Sequence, residues 1–527
     1  MVCLLLAVVH TWPLALHPGR YSRNDNADTQ LNEWILAWVA HQLPRDPAHL
    51  FEANIFYPAH DALAFSEPLI VPALMGAPLA WLGASPVLVY NVVLIAGFTL
   101  TAFATCVLLQ GWTDSIVAGL VAGSLFAFNT HTLTRLAHVQ ATHIYGLPLA
   151  LLALDGILRD GSRRAAWLLA AALALLAYTS GYLIVFALVM LPIAVLVRAP
   201  EWRPRVRRVV SALGLAAALS AVAIAPIYLP YRRVAREQHM TRPLEVVGDF
   251  SATPSGYLAA AGRLHFSTWS GRFFNGPVEP FFPGVVILSL AAFAIATAVR
   301  RAAPAVLKWR VAMLIAIAAA GFILSLGTNT PIYGWLFAAF PPVRSLRAAG
   351  RFGNLFLLAI AVLGGIGVSM VRRQWLAIVL LVLVNIESLC APIEYTPFTG
   401  IPGVYAQIAR EPGRVVVAEV PFWTRDAIFR NAEYELGSTA HWRPLMNGYS
   451  GYAPESYNRY VEAFWLFPAD MAIAAMRDAG VTHIVVHTSR FSDDENRQTV
   501  ALEERGVLEL VAISRELRLY RLTRPTR

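Results

Sequence analysis

Residues 23–34 place Asp25, Asp28 and Glu33 in one short run, directly after the first apolar segment of a chain built mostly from such segments. A carboxylate at the edge of a membrane can take a proton from a hydroxyl or hold a cation. A second pair of residues suits the opposite charge. Arg347 and Arg351 are four apart just before an apolar segment, a spacing that predicts one shared helical face and a two-pronged anion site. Each set also has a plainer role. Asp28 predicts a cap for a helix starting near Thr29, and the arginines predict an anchor at the membrane interface. Trp34 and Trp38, also four apart, predict an aromatic helix face lying on that interface.

The elements that position these groups are apolar. The 527 residues are 57% hydrophobic and 14% charged, with a mean hydropathy of +0.54, against about 25% charge in an ordinary soluble domain. Repeated apolar runs near the ~20 residues that cross a bilayer predict a polytopic α-helical membrane protein. The net charge of +9 does not indicate nucleic acid, because the arginines cluster between apolar segments and Lys308 is the only lysine. Cys3, Cys106 and Cys390 lie in or beside apolar runs and predict neither disulfides nor a metal knuckle.

Basic segments at 158–164, 197–208, 300–310 and 371–373 are assigned inside. That choice gives eleven spans: 2–17, 86–109, 115–129, 144–158, 165–179, 182–197, 209–229, 283–299, 311–326, 352–370 and 375–390. The segment 2–17 lacks a basic leader and is taken as a span, not a removable signal. The run 69–83, broken by Pro72 and Pro78, is assigned as a re-entrant or surface-lying helix. The outer side then holds a long first loop at 18–85, with 131–143, 231–282, 328–351 and everything after 391. A transmembrane domain is expected over 1–391 and an extracytoplasmic α/β domain over 392–527, with strands at 414–420, 481–487, 508–514 and 517–522 and helices at 469–479 and 497–505.

The first loop continues with Asp46-Pro47, then Leu50-Phe51-Glu52-Ala53-Asn54-Ile55-Phe56-Tyr57-Pro58, then Phe65-Ser66-Glu67. An acidic residue after the first span, a Trp-rich helix and these motifs resemble the first outer loop of bacterial GT-C membrane glycosyltransferases, the YfhO-like and mannosyltransferase-like members in particular. The resemblance covers about the first seventy residues by motif and the membrane part by topology. It implies transfer of a sugar from a polyprenyl-phosphate carrier to a glycan, lipid or protein acceptor, on the outer side of a bacterial cytoplasmic membrane. Under it Asp28 is assigned as the base, with Asp25 and Glu67 orienting it. Asp28 and Glu67 could also share a divalent cation, magnesium or manganese. The paired acids of some relatives are absent, and the spacing leaves both Asp25 and Asp28 open as the base. Arg347 and Arg351 are assigned to the lipid phosphate, and Arg135, His138, Gln140 and His143 of the second outer loop to sugar or acceptor.

His138 and His143 are five apart with no HExxH motif, so zinc is not expected. The loop 231–282, with Asp249, His265, Trp269, Arg272 and Glu279, is assigned as membrane-hugging, and Glu387 in the last span as solvated at the interface. His441, Trp442 and Tyr449 predict core packing more than glycan contact. Two other functions compete. A transporter or flippase of lipid-linked glycans predicts broken helices and ionisable groups near mid-membrane, whereas here charges collect outside. A non-catalytic scaffold predicts that Asp25, Asp28 and Glu67 are replaceable. No P-loop, dinucleotide glycine fingerprint or serine-hydrolase elbow occurs in the sequence.

Overall fold

The computed structural model describes residues 1–23, 25–240, 243–274, 279–300 and 303–523. Asn24 of the acidic run and Arg301 of a basic segment lie outside the described residues. Helices make up most of the chain. Among the described residues six are long and apolar enough to cross a membrane: Pro86–Thr113, Ile116–Leu133, Val139–Asp160, Ala199–Glu237, Ala305–Ser325 and Ala349–Ser369. Four shorter apolar helices are Ile70–Trp81, Gly181–Val197, Val285–Val299 and Gln374–Ser388. The expected count of eleven is therefore not reached on length and composition. The first expected span is a nine-residue helix, Val2–His10, followed by a 3-10 turn at Leu14–Leu16.

The chain divides into two compact units. The first comprises Met1–Pro18, Asn91–Tyr228 and Thr241–Tyr395. Its core is built from Leu, Val, Ile, Ala and Phe of the apolar helices. The helix Gly353–Ser369 is buried along nearly its whole length. Its small residues allow this: a Cβ at Gly364 would strike the Ile287 side chain, and one at Gly367 the Leu290 carbonyl. Two apolar helices approach closely only where one offers such a groove.

Glu387 belongs to this packing and is not solvated as expected. It is 8% exposed, and its two carboxylate oxygens accept from Val285 N and Val286 N, each at 3.0 Å. His265 Nε2 lies 3.2 Å away. Glu387 thus closes the N-terminus of the neighbouring helix Val285–Val299, where free N–H groups and the dipole favour an anion.

The second unit comprises Gly19–Tyr90, Leu229–Met240 and Thr396–Arg527. Its sheet has four strands in the order Val417–Val420, His483–His487, Leu517–Leu522, Leu508–Ser514. The first pair is parallel and the others antiparallel. Val417–Val420 and His483–His487 are buried at every position, and their buried Glu419 and His487 meet one another at 2.7 Å. Helices Asp470–Asp478 and Asp493–Glu504 flank the later strands in sequence, the second closed by a Ser492/Glu495 capping box.

The first loop is knitted into this unit by backbone. Phe56 N donates to the Asn447 carbonyl, Tyr57 N to that of Leu445, and Leu445 N to that of Asn54. Leu445 in turn bridges Val417 of the sheet. A Cβ at Gly448 would lie 2.5 Å from the ring of Phe56, which is buried. Gly448→Ala is therefore expected to lower unfolding stability by about 1–3 kcal/mol through overpacking, read as a fall in denaturation midpoint with no change in helix content.

Candidate functional site

In the second unit the helix Ala27–Gln42 presents the acidic run. Asn26 caps it, its side chain accepting from Asp28 N at 2.9 Å. Asp28 is therefore not the cap but a first-turn residue. It accepts a hydrogen bond from Tyr449 Oη at 2.8 Å on Oδ1. Asp25 is exposed and pairs with Arg23 at 3.2 Å. Trp34 and Trp38 do not face an interface. They are 1% and 5% exposed and stack on one another with centroids 6.2 Å apart. Trp38 Nε1 donates to the Leu50 carbonyl, and Trp442 tilts against it at 5.8 Å. The indoles fix the helix inside the unit because their area is worth more buried than wet.

Glu67 is half-buried. Among the described residues no group of three or more His, Cys, Asp or Glu could hold a metal ion. Glu33, the third acid of the run, is fully buried and accepts from Ser22 Oγ at 2.9 Å. Burial pushes its carboxyl up to about 8, the Ser22 hydrogen bond opposing. It is a buried acid, unsuited to meeting a substrate hydroxyl.

In the first unit a cleft is lined by Arg135, His138, Gln140, Tyr182, Arg351 and Asn354, with His131 and an apolar wall including Leu183 and Phe186. Four residues assigned from sequence, Arg135, His138, Gln140 and Arg351, thus meet in one place. Asn129 turns the chain here, capping the short helix Thr130–Leu133 by accepting from Thr132 N. His131 stacks on Phe281 at 4.4 Å and lies 3.0 Å from Glu279 Oε2. Glu279 also pairs with Arg135. This acid lies in the loop assigned as membrane-hugging, where composition alone gave it no partner.

Tyr182 organises the other wall. Its ring carries the Arg351 guanidinium at 4.5 Å, and its hydroxyl accepts from Arg347 N at 2.9 Å and Ala348 N at 3.0 Å. Arg347 and Arg351 do not share a helical face. Arg347 lies between two 3-10 turns, Pro341–Ser345 and Ala349–Phe352, and its guanidinium stacks on Phe250 at 4.5 Å. Only Arg351 faces the cleft. The i,i+4 rule presupposes a continuous helix, and the phenol holds this backbone in an extended turn instead. His143 does not line the cleft. It is buried, its Nε2 lying 3.0 Å from the Val93 carbonyl, in a gap left by Gly97.

The arrangement is chemically lopsided. The lining carries two guanidinium groups and no carboxylate. Glu279 pairs with one of them, and Arg351 has no ion-pair partner among the described residues. Arginine on an aromatic face keeps its edge donors available to an anion.

Two expectations follow. Tyr182→Phe keeps the ring under Arg351 but strips the acceptor from two backbone N–H groups, and is expected to cost about 1–3 kcal/mol in thermal or denaturant unfolding. Glu33 gives a pH signature. The unfolded chain releases this proton near 4.5 and the folded one at about 8, so the folded state holds more protons between those values. Stability falls as pH rises through that window and levels above it. Glu33→Gln is expected to flatten the melting-temperature profile between about pH 5 and pH 8.

The solved arabinofuranosyltransferase AftD from mycobacteria is similar over 99% of this chain and 39% of that chain, with a TM-score of 0.60 and 15% identity. A variant of that enzyme gives 0.60 at 16% identity, covering 99% and 41%. The archaeal oligosaccharyltransferase AglB from Archaeoglobus fulgidus, solved with an inhibitory peptide and a dolichol-phosphate, aligns over 95% of this chain and 70% of that chain at 12% identity and a TM-score of 0.49. The chain spans about two fifths of the length of AftD, and the likeness is one of fold alone. No curated protein matches the chain. A family model matches residues 5–386, most of the chain, and on that match the protein belongs to the family described as Domain of unknown function (DUF6311).

Proposed function

We propose that the protein is an integral-membrane glycosyltransferase that moves a sugar from a polyprenyl-phosphate carrier to a hydroxyl acceptor on the extracytoplasmic side of a bacterial cytoplasmic membrane. The observation that carries this reading is the cleft of Arg135, His138, Gln140, Tyr182 and Arg351, which is cationic and has an apolar wall. A lipid-linked sugar phosphate offers the matching chemistry: an anion, hydroxyls and a hydrocarbon tail. The fold shared with a mycobacterial arabinofuranosyltransferase supports the same class of reaction.

The reaction needs a base, a cationic site for the leaving phosphate and contacts to sugar and acceptor. A base takes the proton of the acceptor hydroxyl while its oxygen attacks the anomeric carbon. The bond from that carbon to the phosphate oxygen breaks, and its electron pair leaves with the phosphate. Arg351 and Arg135 stabilise the charge that grows there. Asp28 is proposed as the base, because it is partly exposed and its cap duty falls to Asn26. Glu33 is excluded from that role by its burial. Glu67 and Asp25 stand as supporting acids, and His138 and Gln140 as contacts to sugar or acceptor. Asp28 and Glu67 offer only two carboxylates, so a magnesium or manganese ion there would complete its shell with water and substrate oxygens, as magnesium commonly does.

Purified protein in lipid nanodiscs, offered a panel of polyprenyl-phosphate sugars, is expected to release polyprenyl phosphate. Asp28→Asn is expected to lower kcat by about 10²–10⁴-fold, the range of general-base catalysis. Arg351→Ala is expected to lower kcat/KM by about 10²-fold or more. Wild-type rates in both variants would overturn the assignment of these residues.

A further inference from the structure

We propose that Tyr449 is a positioning residue for Asp28, so that the segment following residue 396 takes part in setting the base of the reaction. The inference rests on the glycosyl-transfer reading for its consequence in turnover and on hydrogen-bond geometry for its substance.

Asp28 stands in the first turn of its helix and is half-buried. Tyr449 Oη donates to Oδ1 of this carboxylate at 2.8 Å. A phenol held on one oxygen fixes the carboxylate plane and directs the other oxygen's lone pairs. A general base needs that orientation before its acceptor hydroxyl arrives.

The phenol is itself held from behind. Tyr449 N donates to Glu435 Oε1. Glu435 lies on the short helix Ala432–Ser438, which packs against the helix that carries Asp28. Just before Tyr449, the Gly448 carbonyl accepts from Asn431 Nδ2 at 3.0 Å. The Asn447 side chain exchanges two hydrogen bonds with the backbone of Glu419, at 2.8 and 3.0 Å. Gly448 lies so close to the Phe56 ring that no side chain fits. Tyr449 therefore leaves a backbone tied on both sides, and its ring spans from the buried tail to the acidic helix.

Glu435 is held out of water. It is fully buried, and desolvation raises its carboxyl well above the ordinary range, the Tyr449 N–H opposing. A glutamine would keep the same shape and the same acceptor for that N–H.

The test uses the full chain in nanodiscs and two readouts. The first is turnover of a polyprenyl-phosphate sugar. Tyr449→Phe is expected to lower kcat about tenfold, the scale of one lost hydrogen bond to a charged group, with KM for the donor within about twofold. Glu435→Gln is expected to stay near wild type in both constants. The second readout needs no turnover: labelling of Asp28 by a water-soluble carbodiimide, followed by mass spectrometry. Removal of the phenol is expected to speed labelling of Asp28 several-fold while Asp25 labels at an unchanged rate. Equal Asp28 labelling in wild type and Tyr449→Phe would overturn the inference, as would a tenfold rise in KM with kcat unchanged. Should Tyr449→Phe fail to fold, Glu435→Leu releases the Tyr449 backbone and is expected to give the same acceleration. If wild type transfers no sugar from any donor, the glycosyl-transfer reading falls, and the labelling rates alone decide whether Tyr449 holds Asp28.

Discussion

The carboxylate of Asp155, 4% exposed, accepts from Arg198 and Arg310, each at 2.7 Å. Arg198 also forks onto Glu201, and Arg310 stacks on Trp112 at 4.6 Å. One buried charge thereby ties the helix Gly146–Asp160 to Ala199–Trp202, to Ala305–Ser325 and to the end of Pro86–Thr113. The constraint behind this is general. A charge taken out of water costs several kcal/mol unless it is met with good geometry, so each buried ion dictates which helices must adjoin. Glu387 obeys the same rule with two backbone N–H groups and a histidine.

Against that background the cleft is an exception. Arg135 is met by Glu279, but among the described residues Arg351 has no ion-pair partner and lies on an aromatic face. A ring quadrupole offsets part of a guanidinium's charge and accepts none of its N–H donors. The unit meets its buried Arg198 and Arg310 with carboxylates, whereas Arg351 is half-buried beside His138 and Gln140. Unmatched charge in a lined recess is the physical signature of a site that expects its counter-ion from a ligand.

Part of this was legible in the sequence. The strands Leu508–Ser514 and Leu517–Leu522 fall on the expected residues, because two largely apolar runs flank the charged pair Arg515-Glu516, where Arg515 turns the chain at a φ of 56°. Arg347 with Arg351 and Arg135 with His138, Gln140 and His143 were two separate expectations, and one cleft is lined by Arg135, His138, Gln140 and Arg351 of them. What failed was whatever depended on one local rule. The spacing of Arg347 and Arg351 gave a helical face, but the Tyr182 hydroxyl captures two backbone N–H groups there and breaks the helix. Trp34 and Trp38 sit at helical spacing as expected, yet the face they mark is buried in the unit. Asn26, two residues ahead of Asp28, took the cap by offering its amide oxygen first. Glu279 and Tyr449 were missed as members of any site because their partners lie 144 and 421 residues away, Arg135 for the one and Asp28 for the other. No periodicity reports on such a distance.

On the proposed reading the cleft's charge has a further consequence. The Arg135 and Glu279 charges cancel, leaving Arg351 as the net cation of the lining. A sugar joined to a polyprenyl phosphate through a diester carries one negative charge, and the departing monoester carries more. One uncompensated guanidinium therefore balances the bound donor, and the charge gained as the glycosidic bond breaks must be met by something held in reserve. Arg135 is that reserve. Its bond to Glu279 loses value as a stronger anion develops beside it, so a guanidinium shared between carboxylate and phosphate binds the leaving group better than the substrate. Only interactions that strengthen on the way to the transition state speed the chemical step. On this reading Glu279 tempers the positive field that the donor meets, and Arg351 carries the first share of the charge that the phosphate gains.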